Sequence, residues 1–320
     1  MLDVSIVLPT RNNEHHIGRL LDSIFSQDFS NRIEVVMLDS SNDHTPQIAS
    51  RLCGGHDLQL VRVEPGDYNY GATRNLGASK ASNGILVLLS TDVDIRSRSW
   101  LRTLLRSFAD PLVAGVYGRQ VPKEDASPME RFFIEHTYPL ERKVQHLKPG
   151  EKTRDFFFSN TNSAIRRDVW RKIPLPEMLK SEDQEWAKRA MLAGYRIVYD
   201  PEAVVHHSHH YTLKHVFKEY FDSGATLPYV YADSRIAMEN FLVRGIKFER
   251  DEVKYFLGNG YMKTLPYAVF YDAMKFLGYT LGTTCKSMPI WMRRHLSKKS
   301  NHWDKYKSLI SEDMPLGEGR

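Results

Sequence analysis

Acidic residues directly follow two of the apolar stretches that read as buried strands. Asp39 follows IEVVML, while Asp92 and Asp94 follow the start of LLSTDVDI, two residues apart and so on one side of an extended chain. Ligands of open α/β sheets bind beyond the carboxyl ends of the strands. Carboxylates at that edge suit a hard divalent cation such as Mg²⁺ or Mn²⁺, and Arg11 and Arg74 are available as partners of an anion. The pattern therefore predicts a site for a cation and an anionic ligand.

Each of these residues also has an ordinary structural explanation. Asp39 begins DSSNDHT, which could form an Asx turn that caps the next helix. Arg74 could be an exposed helix residue, and Asp92 and Asp94 could be solvated loop residues. The first strand is not followed by G-x-G-x-x-G, so PTRNNEHH cannot offer bare backbone to a pyrophosphate as glycines do. A pyrophosphate at this edge would need a divalent cation and side-chain cations instead.

Two motifs in the second half of the chain carry further titratable groups. SEDQEW places Glu182 and Asp183 at a helix N-terminus, where acids are ordinary partners of the helix dipole. The functional alternative makes one carboxylate a general base that faces the cleft. HHSHH would place His207 and His209 on one face, and the alternative is a set of surface histidines. A separate zinc site is disfavoured because no cysteine is nearby, so we favour a histidine that joins Asp92 on a metal.

The apolar periodicity predicts strands that alternate with helices, which is typical of a mostly parallel α/β sheet flanked by helices. The helix after the first strand is expected to be capped by Asn12 or Asn13, and the segment 156–167 reads as strand, turn, strand. Beyond Leu213 the pattern is helical and aromatic. The other predicted strands are 4–9, 33–38, 58–63, 85–90 and 113–118, and the other predicted helices are 71–81, 99–108 and 181–195.

The bulk composition is that of a globular protein with a slight basic excess. The chain has 320 residues, 42% of them hydrophobic, and its 44 basic and 39 acidic residues give a net charge of +5. This excess suits anionic substrates or anionic lipid, and it gives no support to nucleic-acid binding. Two cysteines, Cys53 and Cys285, favour a reducing compartment without a disulfide framework. We expect neither a signal peptide nor a transmembrane helix.

Taken in order, four motifs resemble those of glycosyltransferase family 2. VSIVLPTRNN resembles its opening strand, VVMLDSSNDHT its second-strand aspartate motif, TDVD its D-x-D region and SEDQEW its E-D-x-x-W helix. NYGATRNLGAS, FSNTNSAIRRDVW and LGYTLG further resemble bacterial rhamnosyltransferases that build surface polysaccharides. The resemblance implies an inverting enzyme of GT-A fold that moves L-rhamnose from dTDP-L-rhamnose to a polysaccharide or lipid-linked saccharide. The alternatives are a UDP- or GDP-sugar donor, a sugar nucleotidyltransferase, and a non-catalytic nucleotide-sugar-binding module.

The resemblance also implies residue roles. Asp183 is the base, and a divalent metal (Mg²⁺ or Mn²⁺) meets Asp92 and His207, with Asp94 as a further ligand. In the family, the aspartate that binds the metal is the last residue of the D-x-D triplet. If Asp92 is that aspartate, Ser90 stands at the first position of the triplet; if Asp94 is, the triplet is intact. The spacing from Asp92 to the next tryptophan favours Asp92. The donor-binding residues are Pro9, Thr10, Arg11, Asp39, Arg74, Asn75 and Asp92. The acceptor-binding residues are Asn160, Asn162, Glu182 and Trp186.

The expected organisation is a GT-A catalytic domain over 1–212 and a helical region over 213–320. The catalytic domain divides into a nucleotide-binding part, 1–118, and an acceptor-side part, 119–212. In the helical region, Trp291 lies among basic residues and suits an interfacial helix on anionic lipid. The alternative is packing on the catalytic domain or on a second subunit in a homo-oligomer. We expect a cytoplasmic protein, peripheral on the inner face of the plasma membrane.

Overall fold

The chain forms two compact units. The first comprises residues 1–177 and 182–210, and the second comprises 178–181 and 211–320. This computed structural model describes residues 2–52, 55–147, 156–231 and 239–303, apart from the side chains of 239–244. Cys53 thus lies outside the described residues, whereas Cys285 is a buried free thiol.

The first unit is built on an eight-stranded sheet of order β3-β2-β1-β4-β7-β5-β8-β6. Its strands are β1 (Val4–Thr10), β2 (Ile33–Asp39), β3 (Asp57–Arg62), β4 (Ile85–Leu89), β5 (Val113–Val121), β6 (Lys143–Gln145), β7 (Asn162–Arg166) and β8 (Arg196–His206). Its helices are α1 (Ile17–Phe25), α2 (Thr45–Leu52), α3 (Tyr70–Lys80), α4 (Trp100–Leu105), α5 (Pro128–Thr137), α6 (Arg167–Lys172) and α7 (Glu182–Leu192). The alternation of strand and helix through the first half confirms the predicted α/β class.

Strand directions decide which loops can meet. Strands β1 to β4 are parallel, so their carboxyl ends share one edge of the sheet. Strand β7 runs antiparallel to both β4 and β5, and β8 runs parallel to β5. Two reversals restore the first direction, so β5 and β8 also end at the edge where β4 ends. The loop after β4, the end of β5 and the residues after β8 are therefore brought together.

Helix α1 buries the face that its periodicity predicts, but its start differs from the expectation. Ile17, Leu20, Leu21 and Ile24 are fully or almost fully buried. The N-cap position is His16, which makes no side-chain capping bond. The Asn13 side chain, through Nδ2, donates to Thr91 Oγ1 at 2.6 Å, in the loop after β4. The predicted Asn12 or Asn13 cap is therefore wrong: this side chain ties two loops of the sheet edge together instead.

The segment before β7 also differs from the prediction. Residues 156–159 are not a strand, and the single strand of this region begins at Asn162. Aromatic packing explains the difference: the Phe158 ring lies 5.3 Å from the Trp186 ring and 5.5 Å from the Tyr117 ring. The apolar run FFF thus fills the core from an irregular segment rather than from a strand.

The second unit is helical, as the sequence predicts beyond residue 213. Its helices are α8 (Leu213–Val230), α9 (Glu239–Gly258), α10 (Leu265–Thr283) and α11 (Ile290–Leu296). Helices α8 and α10 approach closely through glycines: a Cβ on Gly224 would lie 2.1 Å from Tyr279 O, and one on Gly282 would lie 2.2 Å from Phe221 O. Within the described part of the chain, none of the helices has the length and apolar character needed to cross a bilayer.

Candidate active site

A backbone bridge fixes the loop after β4 against the end of β8. Asp94 N donates to His206 O, and His206 N donates to Asp94 O, both at 2.9 Å. Asp92 lies two residues before this bridge and His207 one residue after it. The bridge therefore holds a carboxylate and an imidazole from distant parts of the sequence at one point of the sheet edge.

Asp92, His207 and His209 form a cluster that could hold a metal ion. Their ligand atoms all lie within 4.8 Å of one another. His207 Nε2 is 3.3 Å and His209 Nδ1 is 3.7 Å from Asp92 Oδ2. Partial burial would raise the pKa of Asp92, but the hydrogen bond and charge of His207, with the charge of His209, outweigh it and hold that pKa well below its usual range. The carboxylate is therefore ionised and ready to bind a cation.

A buried glutamine orients the His207 ring. His207 Nδ1 lies 2.8 Å from Gln120 Oε1, an amide oxygen that can only accept, so Nδ1 carries the proton. The amide itself is fixed because Gln120 Nε2 donates to Tyr138 Oη at 2.5 Å and to Ser159 Oγ at 3.1 Å. Nε2 of His207 therefore faces Asp92: with a proton it donates the hydrogen bond that lowers the pKa of Asp92, and without that proton it can offer its lone pair to a metal ion.

Asp94 lies outside this cluster. Its carboxylate is 3.4 Å from His16 Nε2 and 3.6 Å from Lys123 Nζ. Its backbone makes the bridge to His206 described above. The structure thus brings His207 to Asp92 as the sequence suggests, and it adds His209 rather than Asp94.

Asp183 lies in the first turn of α7 with both carboxylate oxygens on backbone donors. Asn160 N donates to Oδ2 at 3.2 Å and Gln184 N donates to Oδ1 at 2.9 Å. Burial, followed by the negative charge of Glu182, raises the pKa of Asp183 to about 7, although these hydrogen bonds and Arg74 oppose the rise. A carboxylate whose pKa lies near neutrality and whose geometry is fixed suits general-base chemistry.

A buried ion pair sets the position of α7 relative to α3. Arg74 Nη1 donates to Glu182 Oε1 at 2.8 Å, and both side chains are almost wholly buried. Asn160 Nδ2 lies 3.5 Å from the same oxygen, and Asn160 Oδ1 accepts from Ser163 Oγ at 3.1 Å. Arg74 is therefore not an exposed helix residue, and Glu182 and Asn160 surround Asp183 from within the protein.

The loops after β1 and β2 form the opposite part of the edge. Asp39 Oδ1 accepts from Ser41 N at 3.2 Å, so Asp39 forms an Asx turn. The start of α2 is bonded by a different residue, because Asp43 Oδ1 accepts from Thr45 N. Asp39 Oδ2 accepts from Arg62 Nη1 at 2.9 Å. Pro9 and Thr10 are buried in β1, whereas Arg11 is exposed. An acid and two cations thus meet where strands β1, β2 and β3 end.

Three residues expected at the site have side chains that are hydrogen-bonded within the protein. Asn75 Oδ1 accepts from Trp170 Nε1 and from Leu175 N. Asn162 is fully buried, and its amide bonds Trp100 Nε1 and Ala203 O. Trp186 is fully buried, and its Nε1 donates to Ile173 O. The polar groups of these three side chains are thus paired with protein atoms.

Gln120, His209 and Arg62 join the site without having been assigned to it from the sequence. His209 had a signal, because the alternation in HHSHH places it beside His207. Gln120 and Arg62 had no recognisable signal, because each is simply a polar residue at the end of a strand. Gln120 contacts His207, 87 positions away, and Arg62 contacts Ser41, 21 positions away. Only the fold brings these pairs together.

Comparison with known proteins identifies the family of the chain. Residues 5–173 match the family model described as glycosyl transferase family 2. The chain belongs to glycosyltransferase family 2. The match ends before α7 and β8, so Asp183, His207 and His209 lie beyond it.

Curated relatives of this glycosyltransferase extend the likeness to nearly the whole chain. The O-antigen chain rhamnosyltransferase RfbN of Salmonella typhimurium is 30% identical over 98% of this chain and 100% of that protein. The O-antigen chain rhamnosyltransferase WbaN of Salmonella anatum is 31% identical over the same shares. The segments that carry α7 and β8 are thus covered by these relatives.

Solved structures show the GT-A fold. Mannosyltransferase PcManGT of Pyrobaculum calidifontis, in complex with GDP-Man and Mn²⁺, has a TM-score of 0.56 and 18% identity, covering 89% of this chain and 86% of that one. TarS 1–349 of S. aureus, in complex with UDP-GlcNAc, has a TM-score of 0.55 and 17% identity, covering 96% and 88%. The predicted fold class is therefore confirmed, and the enzyme is a glycosyltransferase.

The Gln120–His207 contact gives a first testable prediction for this glycosyltransferase. Gln120→Leu should weaken Mn²⁺ binding by about 10–100-fold, the usual cost of losing a group that orients a histidine ligand. Gln120→Glu should restore most of the affinity because its carboxylate still accepts from His207 Nδ1. Titration of Mn²⁺ followed by electron paramagnetic resonance measures both. Equal losses in the two variants would mean that Gln120 acts only by packing.

Proposed function

We propose that this enzyme transfers L-rhamnose, with inversion, from dTDP-L-rhamnose to a hydroxyl of a growing surface polysaccharide or lipid-linked saccharide. One observation carries the chemistry: Asp183 is fixed by two backbone N–H groups and has a pKa near neutrality. The two relatives of about 30% identity over the full chain, both O-antigen chain rhamnosyltransferases, support rhamnose as the sugar. The enzyme acts in the cytoplasm, where a chain with two cysteines keeps its thiols reduced.

Asp183 is the general base in this proposal. Its ionised carboxylate takes the proton from the acceptor hydroxyl as that oxygen attacks the anomeric carbon. The bond to the diphosphate breaks on the opposite face, so configuration inverts in one step. Two backbone donors hold the carboxylate in place, so little reorganisation is needed when the proton moves.

Asp92, His207 and His209 would hold the divalent cation. One carboxylate and two imidazoles suit Mn²⁺ better than Mg²⁺, because Mg²⁺ prefers a shell of oxygen ligands. The cation, when bound, stabilises the negative charge that grows on the leaving nucleotide diphosphate. The chain's own contribution is to keep Asp92 ionised and to present Nε2 of His207, both of which follow from the contacts with Gln120 and the two histidines.

The donor nucleotide is placed at the ends of β1, β2 and β3. Asp39 would bond the base or its ribose, and Arg62 holds that carboxylate from the other side. Arg11 is the exposed cation nearest the end of β1 and would pair with the diphosphate. Arg74 is committed to Glu182, so its contribution is to hold α7, and with it Asp183, rather than to bind phosphate.

The acceptor site is shaped by residues that act behind Asp183. Asn160 and Glu182 are almost wholly buried, and each contacts Asp183 or its supporting ion pair. In the proposal they orient the base, and the acceptor meets Asp183 itself. In the proposal Asn162 and Trp186 do not contact the acceptor, because both side chains are fully buried.

The pKa of Asp183 predicts how the rate depends on pH. The base acts only when deprotonated, so kcat should rise with pH through an apparent pKa near 7 and level off above it. Below the pKa, the rate should fall about tenfold per pH unit. A pH profile of the wild-type enzyme measures this, with donor binding determined at each pH as the control. A profile that is flat from pH 5 to 8 would remove Asp183 as the rate-determining base.

The donor assignment is tested with a panel of nucleotide sugars. Purified enzyme with Mn²⁺ is titrated with dTDP-L-rhamnose, UDP-GlcNAc and GDP-mannose by calorimetry, and dTDP release is then followed with a saccharide acceptor. Preferred binding and turnover of dTDP-L-rhamnose would support the proposal. Preference for UDP-GlcNAc or GDP-mannose would replace the donor, and binding with neither transfer nor hydrolysis would indicate a nucleotide-sugar-binding module. Formation of a nucleotide sugar from a sugar phosphate would indicate a nucleotidyltransferase.

A further inference from the structure

Helix α10 of the second unit has its polarity reversed. Its buried side includes Asp272 and Lys275, whereas its exposed side carries aromatic and aliphatic residues. Phe270 is 65% exposed and Phe276 is 54% exposed. We call this exposed side the outer face; it consists of Val269, Phe270, Phe276 and Leu277. A helix on the surface of a protein in water normally has the opposite arrangement.

The buried side of α10 contains charged groups that lie close to one another. Lys275 Nζ lies 2.7 Å from Asp272 Oδ1 and within 5.9 Å of the ring centres of Tyr220, Phe248 and Tyr271. Burial raises the pKa of Glu252, on α9, to about 9, with the nearby Asp272 acting in the same direction. In water, burying the charged groups of Asp272, Lys275 and Glu252 costs free energy, and so does exposing Phe270 and Phe276.

Glycine packing prevents α10 from rotating to cover its outer face. Gly278 and Gly282 are four residues apart and face α8, where added Cβ atoms would meet Phe217 O at 2.3 Å and Phe221 O at 2.2 Å. At 100° per residue the outer face lies on the side of α10 away from these glycines. Small residues at this spacing are typical of helices that pack closely in a lipid environment.

The exposed charges within the segment 262–303 are all positive, whereas the exposed acid Glu249 of α9 lies beside the buried Asp272. Asp272 is the only acidic residue in the sequence from 262 to 303, and it is buried beside Lys275. Lys263 and Lys286, at the two ends of α10, are exposed. Trp291 on α11 is 67% exposed, next to the basic turn that contains Arg293 and Arg294. Exposed aromatic residues in a segment with exposed basic residues are the combination that suits the interface of an anionic bilayer.

We propose that the outer face of α10, with Trp291, docks on the surface of an anionic phospholipid bilayer. The helix lies in the plane of the interface, with Phe270 and Phe276 among the acyl chains and Lys263 and Lys286 at the head groups. Helix α10 does not qualify as a membrane-crossing helix, so an interfacial position is the one its apolar face can take. This inference does not depend on which sugar or acceptor the first unit uses.

Vesicle flotation of the full chain tests the proposal. Wild-type protein should float with phosphatidylglycerol–phosphatidylcholine vesicles, and less at high salt, because head-group attraction is screened. Phe270→Glu/Phe276→Glu should reduce the bound fraction by at least about tenfold. The matched control is Leu140→Glu/Leu192→Glu, which places the same two charges on leucines of the first unit that are 74% and 66% exposed, and it should bind as wild type. Circular dichroism and Tm establish that the variants fold.

A second pair of measurements keeps the proposal falsifiable if the double phenylalanine variant does not fold. Lys263→Glu/Lys286→Glu changes only exposed side chains and should also reduce binding to anionic vesicles. Brominated lipid should quench the fluorescence of wild type more than that of Trp291→Phe. Absence of binding to anionic vesicles would overturn the proposal. The proposal would also be overturned if the wild-type protein were a dimer that does not bind vesicles and that Phe270→Glu dissociates. In that case a second copy of the chain would cover the outer face.

Discussion

Replacing Asp183 with asparagine is expected to lower kcat by about 10²–10⁴-fold while leaving the Kd of the nucleotide-sugar donor unchanged. Asparagine keeps the size of the side chain and can still accept one of the two backbone hydrogen bonds, but it cannot take a proton. Burial already disfavours the charge of Asp183, as its raised pKa records. Neutralising that charge should therefore leave the fold intact, with Tm at pH 8 close to that of the wild type.

Glu185→Gln is the matched control for Asp183→Asn. Glu185 lies on the same helix, two residues on, and its carboxylate pairs with Arg189 at 2.8 Å rather than with the groups around Asp183. The same acid-to-amide change should therefore leave kcat within about threefold of the wild type, as expected for loss of a partly exposed i,i+4 pair. Initial rates of dTDP release with saturating donor and acceptor measure both variants. Near-wild-type kcat in a folded Asp183→Asn enzyme would exclude Asp183 as the base.

The Asp183 position could be anticipated from the sequence because the pattern around it is local. SEDQEW shows a helix start with acids in the first turn, and the helix does begin at Glu182. The raised pKa could not be anticipated. It needs burial and the neighbouring charge of Glu182, which together outweigh the opposing charge of Arg74, and these contacts arise when α7 packs near α3. Sequence patterns can indicate where a carboxylate lies, whereas its proton affinity depends on tertiary contacts.

Trp186 shows how two sequence arguments can conflict. The spacing of Trp186, Ala187, Ala190 and Met191 predicts that they share one apolar face of the helix, and all four residues are buried. Resemblance to a family motif assigned the same side chain to the acceptor. A face that packs on the core cannot also present its indole to a ligand, and Trp186 Nε1 donates to Ile173 O. For Trp186 the periodicity of apolar residues was a better guide than the family motif, because this periodicity indicates which side chains are buried.

Predicting the metal cluster required the order of the strands as well as the motifs. Asp92 and His207 come from loops 115 positions apart, and they meet because β5 and β8 regain the direction of β4 through the antiparallel β7. The alternation of apolar residues indicates strands without giving their order. Gln120 illustrates the limit, since a glutamine at the end of a strand carries no signal until β5 and β8 are paired.

Asp92→Ala is expected to weaken Mn²⁺ binding by at least about 100-fold, more than the 10–100-fold typical of an outer-shell partner, because it removes a ligand itself. Metal-dependent binding of the donor should fall with it. The loss of the carboxylate also leaves His207 and His209 without the negative charge that favours a cation between them. Isothermal titration of Mn²⁺, and of dTDP in the presence and absence of Mn²⁺, measures both effects.

Asp94→Ala provides the comparison that separates the two aspartates. Its side chain contacts His16 and Lys123, and its backbone bridge to His206 survives the change. Mn²⁺ affinity should therefore stay within about threefold of the wild type, as for loss of partly exposed ion pairs. The reverse order, with Asp94→Ala losing the metal and Asp92→Ala keeping it, would transfer the ligand role to Asp94. If Asp92 is the ligand, the second acid of TDVD acts through its backbone, by fixing the loop that presents the first.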